Sequence, residues 1–207
     1  YLFVPGHRAD RFDKALASGA DAVVLDLEDA VAPQDKVAAR DALARYLAAA
    51  DDDRRARLVV RINDERTPWF DDDLQLLAAT RAAAVMLPKA EAVATLARVR
   101  SACPGIGVLA LVESARGVLN AEALAAADGV QRLVFGRARA HGFGAKLCIH
   151  PQQVAWVHEA LRPADDEIEW AQRVLAAAAA TQGAVQLDGR MIDRPVVERA
   201  RRLLQRA

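Results

Sequence analysis

Three carboxylates, Asp26, Glu28 and Asp29, stand at the end of the apolar run in AVVLDLED, and the nearest cation downstream is Lys36. Similar endings recur: LVVRIN delivers Arg61 and Asn63, VMLPK delivers Lys89, LVES delivers Glu113 and LCIHP delivers His150. Acids gathered with arginine and lysine, without cysteine or paired histidines, suit a hard divalent cation such as Mg²⁺ holding an anionic oxygen substrate. Metal and arginine together would stabilise an oxyanion or enolate, which is electrostatic catalysis. Nucleophilic catalysis lacks a G-x-S-x-G turn, and His7 and His141 belong to no H-E-x-x-H pattern. Each residue also has a plainer reading. Asp29 suits a helix N-cap, Glu28 and Lys89 suit solvated loop charges, and Arg61 suits pairing with a neighbouring acid. His150, held extended before Pro151, suits a hydrogen-bonded structural histidine.

What turns separate charges into a site is the set of elements that carries them. YLFV, AVVLDL, RLVVRI, AAVMLP, IGVLALV, RLVFG and AKLCI are uniformly apolar, as strands covered on both faces are. Helical spacing of Ala, Leu and Arg fills 9–18, 34–49, 70–81, 90–101 and 116–127, and the tail from 151 reads as helical almost throughout. Alternating β and α units imply a parallel sheet, either closed as a (β/α)₈ TIM barrel or open and doubly wound. The absence of G-x-G-x-x-G and of a P-loop after any strand weakens the nucleotide-binding open sheet. In a closed barrel all the polar strand ends converge on one rim, where barrel active sites lie.

The rhythm breaks between RLVFG and AKLCI, where too few residues remain for a crossover helix. A βα region is therefore expected to be missing near 136/137, with the rest forming one domain, 1–207, that carries a helical extension over about 163–207. With 53% apolar residues and 28 basic against 28 acidic side chains, the chain shows neither a nucleic-acid groove nor a polybasic membrane patch. No apolar stretch reaches the length of a membrane span. Cys103 and Cys148 lie far apart, which suits reduced thiols in the cytoplasm. The chain opens inside a strand at Tyr1, so its natural start is expected upstream, and a removed targeting segment stays open.

The motifs LFVPGHRADRFDKALASGADAVVLDLEDAVAPQDKVAAR, VVRIND, VMLPKAE, LVESARGVLN, GFGAKLCIHPQQV and DGRMIDRPVVERA, in that order, closely resemble the citrate lyase β-subunit-like branch of the HpcH/HpaI aldolase and citrate lyase family. The resemblance implies a (β/α)₈ barrel, usually trimeric, with Mg²⁺ at the carboxyl face. It implies cleavage or formation of a carbon–carbon bond between an acyl thioester and a 2-oxo acid, as in citramalyl-CoA, malyl-CoA or a citryl thioester. By resemblance Glu113 is a metal ligand, Arg61 binds the reacting substrate, and Asp26, Glu28 and Asp29 orient metal-bound waters and ligands. The family's second metal-binding Asp follows the strand matching LVFG. Here Arg137 and Ala138 stand there, and the expected missing stretch accounts for it. Asp193 in GRMID matches an aspartate that reaches a neighbouring subunit's site as acid/base, while also suiting the N-cap of a last helix. Arg8 and Lys89 match cations for the coenzyme A tail, with Arg11 and Lys14 behind them. Three alternatives remain at this point. One is a citrate lyase β subunit acting on a citryl-acyl carrier protein. Another is an aldolase acting on free 2-oxo acids, against which VPGHR and GRMID speak. The third is a non-catalytic acyl-thioester-binding subunit whose metal ligand has been lost.

Overall fold

Apolar runs covered on both faces need two cores, and the structure supplies them. The computed structural model describes residues 1–80, 82–135, 148–163, 165–180, 185–187, 190–192 and 194–205. They pack as two units, Tyr1–Val157 and His158–Ala207. In the first, β1 (Leu2–Pro5), β2 (Val23–Asp26), β3 (Leu58–Arg61), β4 (Ala84–Leu87), β5 (Gly107–Val112) and β6 (Val130–Phe135) form one parallel sheet in sequence order. The crossovers carry α1 (Phe12–Leu16), α2 (Lys36–Ala49), α3 (Asp52–Ala56), α4 (Phe70–Thr80), α5 (Val93–Ala102), α6 (Ala115–Leu119) and α7 (Ala121–Ala126), and α8 (Gln152–Leu161) follows the sheet.

Side chains alternate across a strand with period two, and the sheet divides them accordingly. Val23, Leu25, Leu58, Val60, Val85, Leu87, Val108 and Ala110 belong to the larger core, with helix residues such as Phe12, Leu43 and Leu77. Val24, Val59, Met86, Leu109, Leu111 and Val134 form a smaller cluster from the opposite side chains of β2 to β6, with Phe3 of β1 packed against it. Cys148 forms a parallel bridge with Leu2, its carbonyl accepting the Phe3 N–H at 2.8 Å and its N–H donating to the Tyr1 carbonyl at 2.7 Å. A segment far downstream thus lies beside the first strand, the return that a barrel makes. Six sequential parallel strands with this return follow the order of a closed barrel, the one of the two forms left open by the βα alternation that the resemblance implies.

Several elements differ from the sequence reading. The helix expected over 116–127 is two short helices broken at Asn120, whose side chain donates to the Glu91 carbonyl at 2.7 Å. The short helix α3 has no apolar period to announce it. It is started by Asp51, whose carboxylate accepts the Arg54 N–H at 2.8 Å. Within the tail, read as helical, the second unit holds α9 (Asp165–Ala180) and α10 (Arg194–Leu204) but also an antiparallel hairpin of β7 (Val185–Leu187) and β8 (Arg190–Ile192). Alternation in VQL and RMI around an Asp-Gly pair is the hairpin signal that helix propensity in the flanking alanines obscured. Ala171, Val174, Ile192 and Ala200 give this unit its own small core. The break expected at 136/137, and Asp193, lie outside the described residues. Among the described residues no helix is long and apolar enough to cross a membrane.

Candidate active site at the carboxyl edge of the sheet

Asp26 and Arg61 are register partners at the last positions of β2 and β3, two residues beyond Val24 and Val59 on the same side of the sheet. Arg61 Nε donates to Asp26 Oδ1 and Nη2 donates to Oδ2, both at 2.7 Å, a bidentate fork with Asp26 fully buried. The other Asp26 lone pairs take the Glu28 N–H at 2.8 Å and the Ala30 N–H at 3.1 Å. One carboxylate therefore fixes both the arginine and the turn that follows β2. The guanidinium also lies 4.8 Å from the centre of the Phe3 ring, which confines it from the β1 side. Burial works against the Arg61 charge, but the hydrogen bond to Asp26 and the charges of Asp26 and Glu28 outweigh it, leaving its affinity for the proton raised.

Glu28 sits between two cations. Lys89 Nζ donates to its Oε1 at 2.5 Å, and Arg61 Nη1 lies 2.9 Å from its Oε2. The second contact is an ion pair without hydrogen-bonding alignment, so Oε2 is a buried oxygen with no hydrogen-bond donor. Burial pushes the Glu28 carboxyl above its ordinary value, although Lys89 and Arg61 pull it back. The linkage follows directly. A carboxyl raised in the fold adds stability below its unfolded value and loses it as pH rises through the folded one. Glu28→Gln removes that dependence. Urea unfolding from about pH 4 to about pH 7 should show the wild type's margin over the variant shrinking as pH rises. A constant margin would mean that Glu28 titrates alike in both states.

Lys89 adds backbone geometry. Its φ of 46° is in the left-handed region, uncommon for a residue with a Cβ. In that conformation its N–H donates to Glu113 Oε2 at 3.2 Å, across from β5. Lys89 Nζ also lies 4.0 Å from Asp64, whose carboxyl is held low by the hydrogen bond from Arg66. Asp26, Glu28, Arg61, Lys89 and Glu113 thus form one chain of contacts along the carboxyl ends of β2 to β5.

Other expected residues stand apart. Asp29 is 76% exposed and only 3.9 Å from Arg61 Nη1 at its nearest. Arg8 is closed by a bidentate contact to Asp10, at 2.8 and 2.7 Å. It lines a groove along β1 with Phe3, Pro5, Lys14, His150 and Pro151. His150 is exposed, and its Nδ1 accepts the Gln152 N–H at 3.2 Å, the structural use open to a histidine before a proline. Gly6 of VPGHR is explained by contact: its N–H donates to the Asp26 carbonyl at 2.7 Å, and a Cβ would stand 2.8 Å from that oxygen.

The sequence reading missed a second layer. Lys36, the first residue of α2, is buried and spends its three donors on the Leu27 carbonyl at 2.5 Å, the Glu28 carbonyl at 2.7 Å and Asn63 Oδ1 at 2.7 Å. Asn63 in turn donates its N–H at 2.8 Å and Nδ2 at 2.6 Å to Asp73 of α4, which also takes Arg40 Nη1 at 3.1 Å. Lys36 and Arg40 are four apart, one turn of α2, a spacing that shows they share a face but not what that face meets.

Among the described residues, no group of three or more His, Cys, Asp or Glu side chains is arranged to hold a metal ion. Glu113 fits such an ion in kind: it is an exposed hard-oxygen donor with one oxygen engaged by a single N–H. Mg²⁺ takes one or two carboxylates and fills its octahedron with water and substrate oxygens.

A parallel barrel order with an acid, arginine and lysine cluster on its carboxyl edge defines an enzyme of the class whose chemistry sits above the strands. The sequence pattern of the HpcH/HpaI aldolase/citrate lyase family matches residues 1–184, and the chain belongs to that family. It is a carbon–carbon lyase by that membership. It is 36% identical over 268 positions to a citrate lyase subunit beta-like protein of Mycobacterium tuberculosis, covering 100% of this chain and 94% of that one. It is 29% identical over 266 positions to a (3S)-malyl-CoA thioesterase of Cereibacter sphaeroides, covering 100% of this chain and 93% of that one. The crystal structure of CitE from M. tuberculosis in complex with magnesium, acetoacetate and coenzyme A superposes with a TM-score of 0.78 at 34% identity, covering 100% of this chain and 96% of that one. Alignment over 268 positions against a chain of 207 means that the relative carries residues with no counterpart here, in keeping with the interruption of the βα rhythm.

Proposed function

We propose that this protein is a Mg²⁺-dependent lyase that cleaves, or forms, a 3-hydroxyacyl thioester such as malyl-CoA, citramalyl-CoA or a citryl thioester, giving an acetyl thioester and a 2-oxo acid. The observation that carries the reading is the continuous chain Asp26–Arg61–Glu28–Lys89–Glu113 on one strand edge, in a fold whose solved relative holds magnesium, acetoacetate and coenzyme A. When bound, the metal would supply Lewis-acid polarisation of the substrate's oxygens. Glu113 would hold it, with the family's second aspartate ligand expected on the stretch missing from this sequence near 136/137.

The protein's own groups have distinct tasks. Arg61 has five N–H donors and commits two to Asp26; its remaining positive face stabilises the oxygen charge of the thioester enolate released on scission. Glu28 holds Lys89 and faces Arg61, so it sets the spacing of the two cations. Asp193 protonates the departing carbon from a neighbouring subunit of a homotrimer in the cytoplasm. Lys89 and Arg8 meet the phosphate-rich coenzyme A tail, and at Arg8 the tail has to displace Asp10.

The test incubates full-length protein with malyl-CoA and citramalyl-CoA, with Mg²⁺ or with EDTA, and separates the products. Acetyl-CoA with glyoxylate or pyruvate, lost in EDTA, is the expected result. Free coenzyme A with malate would instead give the thioester hydrolysis named for the C. sphaeroides relative. Binding without turnover would leave the carrier-dependent β subunit or the non-catalytic binder.

A further inference from the structure

Lys36, the nearest cation downstream of the three carboxylates after β2, pairs with none of them within ion-pair distance. Its ammonium points instead at two backbone carbonyls, Leu27 and Glu28, and at the side-chain oxygen of Asn63. Placing an ammonium at 4% exposure on neutral acceptors is unfavourable in itself, since a buried charge normally takes a counter-ion. The Trp69 ring, 4.9 Å from Nζ, adds a further contact without a countercharge. All three donors of the ammonium are used, and all three acceptors lie on the loops that leave β2 and β3. The Asn63 amide is then held by Asp73, so the loops are tied to each other and to α2 and α4.

We propose that Lys36 is a positioning residue for the lyase reaction: by fixing the Leu27 and Glu28 carbonyls it aims the Glu28 carboxylate at Arg61 and Lys89. The geometry is direct. The Glu28 carbonyl bonded to Lys36 and the Glu28 N–H bonded to Asp26 belong to one residue, so its backbone is held on both sides while its side chain reaches the two cations. Lys36 itself touches neither Arg61 nor Lys89, and its influence passes through Glu28. The inference rests on the lyase reading for its kinetic arm only.

Two readouts on the full-length protein test it. In the first, kcat and KM for thioester cleavage are measured for wild type, Lys36→Met, Glu28→Gln and the double variant. Loss of the clamp should lower kcat by about tenfold or more with KM changed by no more than about threefold. In the Glu28→Gln background the same change should matter by less than about twofold, because the residue through which it acts is already altered. An equal loss in both backgrounds would assign Lys36 a merely structural role and overturn the proposal. The second readout is hydrogen exchange of the peptide spanning Val24–Ala32. Lys36→Met should raise exchange there while β4 and β5 keep their protection. Unchanged exchange in 24–32 would also overturn it. If wild type cleaves no thioester the lyase reading falls, yet the exchange experiment still decides the clamp. Should Lys36→Met not purify folded, Lys36→Gln, which keeps a shorter donor, enters the same two measurements with the same criteria.

Discussion

Arg61→Met should destabilise the protein by about 3–5 kcal/mol, measured as the change in urea-unfolding free energy against wild type. The reason is the charge left behind. Asp26 is fully buried, and removing the guanidinium leaves its carboxylate with two backbone N–H donors and no cation. Glu28 loses its contact with Nη1 at the same time, although Lys89 remains. For a chain of this size the corresponding drop in Tm is on the order of 10 °C. Arg61→Met combined with Asp26→Asn should lose less than the sum of the two single changes, since the buried charge is gone with its partner. A loss below about 1 kcal/mol for Arg61→Met alone would show that water reaches Asp26, and the buried fork would then contribute little. Chemistry and folding are therefore coupled at this residue: the group read as the substrate's arginine is also the counter-ion that lets an acid sit inside the sheet.

That coupling also explains what the sequence made legible. Strand type and direction followed from runs such as AVVLD and RLVVR, because parallel strands buried on both faces must be apolar without alternation. Convergence of Asp26, Arg61, Lys89 and Glu113 on one edge then followed from direction alone. The pairing within the edge did not. Asp26 and Arg61 meet because β2 and β3 are in register at those residues, and register is set by packing across the sheet that a single sequence does not display. Lys36 was visible as the nearest cation after three acids, but nothing in the sequence named its partners. Its ammonium is directed by the start of α2 toward carbonyls, which leave no mark in side-chain patterns. Asp73 was hidden inside FDDDL, where three adjacent acids look alike, and only the helix face separates the buried one from its exposed neighbours Asp71 and Asp72. The Lys89 conformation was likewise invisible, since nothing in VMLPKA asks for a left-handed residue.

Glu113→Gln divides the other way, with a large effect on turnover and little on the fold. Glu113 is exposed and takes one backbone N–H at 3.2 Å, which the amide oxygen of glutamine accepts equally well. Stability should therefore stay within about 0.5 kcal/mol of wild type, as surface changes do. What the amide cannot supply is the negative charge that holds a divalent ion, and neutral oxygens of one side chain are poor replacements in a site with few protein ligands. Under the lyase reading, kcat/KM for thioester cleavage should fall at least about a hundredfold, and the remaining rate should require higher Mg²⁺ for half-saturation. Urea unfolding and a Mg²⁺ titration of the rate, run on the same preparation, separate the two effects. A variant that unfolds more easily but keeps its Mg²⁺ dependence would make Glu113 a partner of the Lys89 turn and move the metal elsewhere on the rim. Unchanged stability with collapsed metal-dependent turnover would place the ion at the end of β5, directly across from the residue whose left-handed backbone presents its N–H to Glu113.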